Sequence, residues 1–308
     1  MTGCCDDTKL TACGEISAPQ PTLAMVVKAQ LQLSHCAAEV REHDPDRYLA
    51  TLFAPPEARE ALFALYAFDH EIARVRHVVR EPMAGLVRFQ WWREALDGIE
   101  ANKPLAHPVV AAMQAHWARF APLRPRLDAA IDGRELELSA DPPVDLVALE
   151  RRLAAGCGEI ALAAVELLGG SDERSHAAAR YLGLARGLTR LVQALPGDLG
   201  QERMRLPSAL LHRHEVDPKG LAQARDGRAL APAVAALAAR ARTHLHDARR
   251  YRREVPRRAL AALLHASLLD RYLRRLGRAG HDPFAPVVVR PGATAPLELL
   301  GRHLAGRY

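Results

Sequence analysis

The chain has 308 residues, of which 49% are hydrophobic and only 5% aromatic, and its formal charge is +6. That length holds one large domain or two small ones with ample apolar surface for a core, while the moderate basic excess permits an anionic partner without identifying one. Cys4, Cys5, Cys13, Cys36 and Cys157 show neither paired zinc spacing nor a disulfide framework, which fits a reducing compartment. No segment reads as a secretory signal or is apolar enough to cross a bilayer, so the expectation is a cytoplasmic protein. Adjacent Cys4 and Cys5 offer lipidation or metal binding, against an ordinary exposed tail.

Residues 1–25 mix polar residues, glycine and proline without a sustained period and are expected to form a loose leader. Residues 26–280 make the expected folded domain, and 281–308 a connector with a short terminal helix. A roughly helical pattern spans 25–42, His43-Asp-Pro-Asp46 interrupts it, and 47–53 is predicted as a short helix. Pro55-Pro56-Glu57 then starts a long helix, since proline is tolerated in the first turn and the acid suits the positive end of the dipole. Leu65, Phe68, Ile72, Val75 and Val79 recur at steps of three and four and place one face of it in the core.

After Glu81-Pro82, a second face is marked by Leu86, Phe89, Trp92 and Leu96. Neighbouring Trp91 and Trp92 diverge by about 100° on a helix, which sends one to the core and one to its margin. Helices are predicted over 109–120, 126–138 and 145–168, where Gly156 and Gly158 allow another backbone to approach closely. Others follow over 208–216, 232–251 and 257–278, the last with Leu260, Leu263, Leu264, Leu268, Tyr272 and Leu276 on a common side. An extended 283–296 connector leads to a short apolar-faced segment at 297–304. The chain is predicted to be all-α.

Three stretches carry more than periodicity. Tyr48-Leu-Ala-Thr-Leu-Phe-Ala-Pro55, Ala64-Leu-Tyr-Ala-Phe68 and Gln90-Trp-Trp-Arg-Glu-Ala-Leu96 resemble the squalene/phytoene synthase family of head-to-head prenyl transferases, with the resemblance reaching from about residue 40 to 280. It implies a single-domain, isoprenoid-synthase-type helical bundle around a central apolar cavity. In active relatives, two Asp motifs on opposing helices hold magnesium and diphosphate while two allylic chains join. The first, Asp-Asp-x-x-Asp, aligns here with Ala73, Arg74 and His77. The second falls in Tyr181-Leu-Gly-Leu-Ala-Arg-Gly-Leu-Thr-Arg-Leu-Val-Gln-Ala-Leu-Pro-Gly-Asp198, where Arg190 stands for the family asparagine and Ala194, Gly197 and Asp198 for the acids. Glu202-Arg-Met-Arg-Leu-Pro207 occupies the place of the family's Gly-Arg-x-Tyr-Leu-Pro.

Magnesium takes carboxylates as its protein ligands; alanine cannot ligate it and arginine repels it. Asp69 and Glu71 survive nearby, but residues two apart on a helix point in different directions. Asp198 and Glu202 have a helical spacing, yet Pro196-Gly197 predicts a helix end before them, so Asp198 is expected to pair with arginine or cap backbone. No metal and no cofactor is expected, and Mg2+ only where synthase activity is retained. Arg74, Arg76, Arg190 and Arg203 are the candidates for binding diphosphate or another anion, since guanidinium makes bidentate phosphate contacts. The competing reading has such arginines neutralise Asp69, Glu71 and Asp198 inside an abandoned cavity.

His70 with His77, and His244 with His246, invite a metal, but each pair lacks a third ligand in sequence. Arg249, Arg250, Arg252, Arg253, Arg257 and Arg258 form a basic run that suits anionic headgroups or merely two solvated helix ends. No nucleic-acid module is present. The branch of the family that the chain resembles includes a mitochondrial complex I assembly factor and alphaproteobacterial counterparts. It implies a non-catalytic relative whose partners are respiratory complex assembly intermediates, with peripheral contact at the inner membrane open. The alternative is a prenyltransferase with an altered site, or a protein that binds prenyl lipid without turnover.

Overall fold

A computed structural model describes residues 33–79, 81–139, 141–201, 203–216, 227–285 and 294–308, and the described residues contain helices and no strand. The predicted leader, the start of the 25–42 pattern, Glu202 and most of the 283–296 connector lie outside the described residues. In chain order the helices are α1 (His35–His43), α2 (Pro45–Thr51), α3 (Pro56–Val78), α4 (Pro82–Glu100), α5 (Pro108–Ala115), α6 (Trp117–Phe120), α7 (Arg124–Glu135), α8 (Leu146–Leu153), α9 (Glu159–Leu167), α10 (Glu173–Gly200), α11 (Ser208–Arg213), α12 (Ala231–Arg250), α13 (Leu260–Leu263), α14 (Ala266–Arg278) and α15 (Ala295–Leu304). Residues from Ser34 to Tyr308 form one compact unit. No helix among the described residues is long and apolar enough to cross a membrane.

Helix α3 is the centre. Pro56 sits in its first turn with Glu57 beside it, and it stops where Val79 turns extended at φ −95° and ψ 142°. The sequence predicts one buried face, but residues 61–69 are buried without a gap. Helices α1, α4, α5, α7 and α9 all pack on α3, and a helix surrounded on all sides loses its polar face. Ala61, Ala64 and Ala67 keep the helix thin where neighbours approach, while Phe63, Leu65 and Phe68 fill the gaps. Phe68 meets Trp92 edge to face at 5.3 Å between ring centroids. Trp92 is core and Trp91 half-buried, as their divergence predicts, but Leu86 is 40% exposed, in a first half of α4 where Met83 and Val87 are exposed as well and Gly85 makes the packing contact.

The predicted 145–168 helix is α8 and α9 joined by a π turn over Ala154–Gly158. An inserted residue of this kind shifts the helix face, and here it buries Cys157. The glycine pair does admit a close approach, and its partners are glycines too. A Cβ on Gly133 of α7 would lie 2.3 Å from the Ala155 carbonyl carbon, and one on Gly183 of α10 would lie 2.8 Å from the Gly158 Cα.

Helix α10 packs along α12 in the most extensive helix pairing of the described residues. It also corrects a sequence expectation, because it continues through Pro196 to Gly200 where a helix end was predicted before Asp198. Proline removes one backbone hydrogen bond, but Leu195 and Leu199 on either side are buried and hold the last turn in register. At the far end of the chain, Leu299 of α15 packs on Ala50, Leu264 and Leu268. The Tyr308 hydroxyl donates to the Ala248 carbonyl at 2.8 Å.

Candidate functional site

The end of α3 that carries the first aligned motif faces α7, the π turn and α10. Asp69 lies in the fully wrapped part of α3 and is 3% exposed. An isolated carboxylate there is costly, and arginines from two other helices meet it. Arg47 Nη1 donates to Oδ2 at 2.6 Å and Arg134 Nη2 to Oδ1 at 2.7 Å. The Arg186 guanidinium stands 3.9 Å from Oδ2 and pairs directly with Asp44, while Arg47 lies 4.4 Å over the Tyr66 ring. Burial alone raises the pKa of Asp69, but Arg134, Arg47 and Arg186 outweigh it and hold the carboxyl well below the usual range. Asp44 is likewise held low, with burial opposed by Arg186, Arg47 and Arg190.

The network continues outward. Arg134 Nη1 donates to Glu137 Oε1 at 2.7 Å, and Glu137 also pairs with Arg76 and, at 3.2 Å, with Arg205. Arg205 Nη1 then stands 3.7 Å from Asp198 Oδ2. Thus Asp198 pairs with an arginine, as expected, and burial raises its pKa in spite of Arg205. Cys157 accepts a 3.7 Å contact from Arg134 Nη2. Burial of its thiol opposes ionisation, but Arg134 prevails and lowers its pKa.

Two cavities open on this network. Ala73, Arg74, Arg76, His77 and Arg190 line one of about 140 Å³, together with Asp44, Asp69, Arg134 and Arg186. Asp198, Arg203 and Arg205 line one of about 370 Å³ with Val79, Leu138, Leu149 and Met204, and Arg76 and His77 border both. Ala194 and Gly197 line neither. Both of these cavities mix apolar lining residues with arginines and acids. Arg74 pairs with Glu71 at 2.9 Å on the outer side. Arg203 donates to the carbonyls of Arg76 at 2.7 Å and Val79 at 3.4 Å, satisfying the last turn of α3. Arg190, by contrast, makes no hydrogen bond or ion pair with another described residue.

This donor set does not fit magnesium. Both oxygens of Asp69 are taken by guanidinium groups, and the smaller cavity sets two carboxylates against five arginines. A hard divalent cation needs accessible anionic oxygens, and both carboxylates of this cavity, Asp69 and Asp44, are already held by guanidinium groups. Arg47, Arg134, Arg186 and Glu137, which build the network, escaped the motif comparison. A signal was present: Arg134 continues the Leu127, Ala130, Ile131 stripe, and Arg186 falls between Leu182 and Thr189 on a face otherwise buried.

His265 is buried beside Arg47 and Arg186, and no described side chain donates to or accepts from its ring nitrogens. Burial first, and then those two arginines, push its pKa down to about 3. The folded chain thus holds His265 neutral while the unfolded chain protonates it near pH 6.5, so its contribution is complete above about pH 6.5 and is lost as pH falls towards about 3. Asp46, pushed up to about 6 by burial and by Asp44, acts in the opposite sense. The difference between H265L and the parent isolates the histidine. Urea unfolding from pH 6 to pH 4 is expected to show a parent curve steeper by ~1.4 kcal/mol per pH unit.

The squalene/phytoene synthase family pattern matches residues 40–295. The chain belongs to the squalene/phytoene synthase family. The "NADH dehydrogenase (ubiquinone) complex I, assembly factor 6" of Bos taurus is 28% identical over 89% of this chain and 82% of its own length. A presqualene diphosphate synthase of Rhodopseudomonas palustris is 28% identical over 70% of this chain and 77% of its own. Among solved structures, a dehydrosqualene synthase superposes with a TM-score of 0.73 at 17% identity, covering 91% of this chain and 97% of that one. A squalene synthase of Alicyclobacillus acidocaldarius gives 0.68 at 18% identity, over 81% and 94%. These similarities define the all-α fold.

Proposed function

We propose that this chain is a non-catalytic member of its family that acts in the assembly of respiratory complex I, with assembly intermediates as its partners. The observation that carries the reading is the capture of Asp69 by Arg47 and Arg134. The helix face that bears metal-binding acids in active relatives here has Ala73, Arg74 and His77, and the neighbouring acid is neutralised inside the protein. Assembly factor 6 relatives, similar over nearly the whole described fold, supply the process. We place the chain in the cytoplasm, and the outward Leu297, Leu300 and Leu304 of α15 support peripheral contact with a membrane there.

A second reading, a prenyltransferase with an altered site, is favoured by the Arg190 guanidinium, which lines a basic cavity and has no ion-pair partner among the described residues, and by the presqualene diphosphate synthase relatives. Incubation of the full chain with Mg2+ and labelled farnesyl or geranylgeranyl diphosphate, beside an active family enzyme, separates the readings. The expected result is neither pyrophosphate nor prenyl product above background. Product formation that falls in R190A would overturn the non-catalytic reading.

A further inference from the structure

The sequence pairs His70 with His77 and finds no third ligand. The fold gives His70 other neighbours. Helix α1 packs against α3, and Glu39 and His43 lie one turn apart on α1, on a shared face. We propose that Glu39, His43 and His70 form a site for a borderline divalent transition metal, with zinc as the first choice. This goes beyond the assembly reading and does not depend on it, and it uses none of the residues aligned with the Asp motifs.

The three residues each offer one ligand atom, and these atoms lie within 4.8 Å of one another. The imidazoles of His43 and His70 stack, with centroids 4.1 Å apart and planes 4° from parallel. His43 Nε2 is 3.7 Å from Glu39 Oε2, and the two side chains are 38% and 26% exposed, which leaves an entry path. Ligand atoms around a tetrahedral ion with bonds of about 2.0–2.1 Å stand roughly 3.3 Å apart. Parallel stacked rings cannot both aim an in-plane nitrogen at one ion, so binding requires the accessible His43 ring to turn out of the stack while Glu39 swings in.

Donor chemistry selects the ion. Two imidazoles and one carboxylate leave an open position on zinc, whereas magnesium and calcium prefer oxygen throughout. The nearest competing guanidinium on α3, that of Arg74, is engaged by Glu71. Both imidazoles line the 140 Å³ cavity, which gives an ion access from the interior as well as from the surface of α1.

The test is a zinc titration of the full chain against a chromophoric chelator, in a background with Cys4, Cys5 and Cys13 changed to serine. One equivalent is expected to bind and to raise the melting temperature. H43A and H70A should each weaken binding by more than the ~10–100-fold that loss of an outer-shell partner costs. E39Q, which preserves shape, should weaken it as well, and H246A should leave it unchanged. If H70A fails to fold, H43A and E39Q decide, because both lie at the surface of α1. Absence of stoichiometric binding, or affinity equal in the parent, H43A and E39Q, would overturn the proposal and leave only a pair of stacked imidazoles.

Discussion

Asp69→Ala is expected to destabilise the folded chain by about 3–5 kcal/mol, the usual consequence of removing one partner from a buried ion pair. The cause is what remains. Arg47 and Arg134 are 1% and 5% exposed, and without Asp69 the Arg47 guanidinium keeps, among the described residues, one acidic partner, Asp44 at 3.8 Å, and the Tyr66 ring. For a domain of this size that is a fall of roughly 6–20 °C in melting temperature at about 2–4 °C per kcal/mol. A triple replacement of Arg47, Asp69 and Arg134 by apolar residues of similar volume should recover part of the loss, because no charge is then stranded. Asp44 would retain Arg186, and Glu137 would retain Arg76 and Arg205. Equal stability of the parent and D69A in urea unfolding would refute the claim that this carboxylate is the hub of the network.

Gly133→Val is expected to prevent accumulation of folded protein, and Gly133→Ala to destabilise it by about 1–3 kcal/mol through overpacking. The added atom meets backbone on the π turn, 2.3 Å from the Ala155 carbonyl carbon and 2.4 Å from the Gly156 nitrogen, which no rotamer change relieves. Pushing α7 away also draws the adjacent Arg134 from Asp69 and Cys157. Gly197 provides the contrast, since a Cβ there meets nothing within 4 Å. Gly197→Ala should stabilise the chain by up to ~1 kcal/mol through helix propensity alone. Thermal melts of both alanine variants give opposite signs if backbone proximity at Gly133, and not glycine as such, is what matters.

Helix content and order were legible because periodicity and proline punctuation are local. The wrapping of α3 was not, since its neighbours come from distant parts of the chain and only the fold brings them together. The continuation of α10 through Pro196 is of the same kind: burial of Leu195 and Leu199 overrides a local breaker. At the site, the missing acids could be read by alignment with the motif. The apolar stripes mark Arg134 and Arg186 as core-facing, but their convergence on Asp69 could not be read, because Arg47, Asp69, Arg134 and Arg186 are spread over 140 positions and meet only in three dimensions. Likewise His43 stood in a segment read as an interruption, and its stacking on His70 depends on how α1 crosses α3.

Assembled complex I, measured by native electrophoresis with in-gel NADH oxidation in a strain lacking this chain, tests the central claim most directly when prenyl products are quantified from the same cells. The account predicts a marked loss of the assembled complex, unchanged prenyl products, and restoration by the parent chain and by R190A. Normal abundance of complex I, or loss of a squalene- or phytoene-type product, would contradict it.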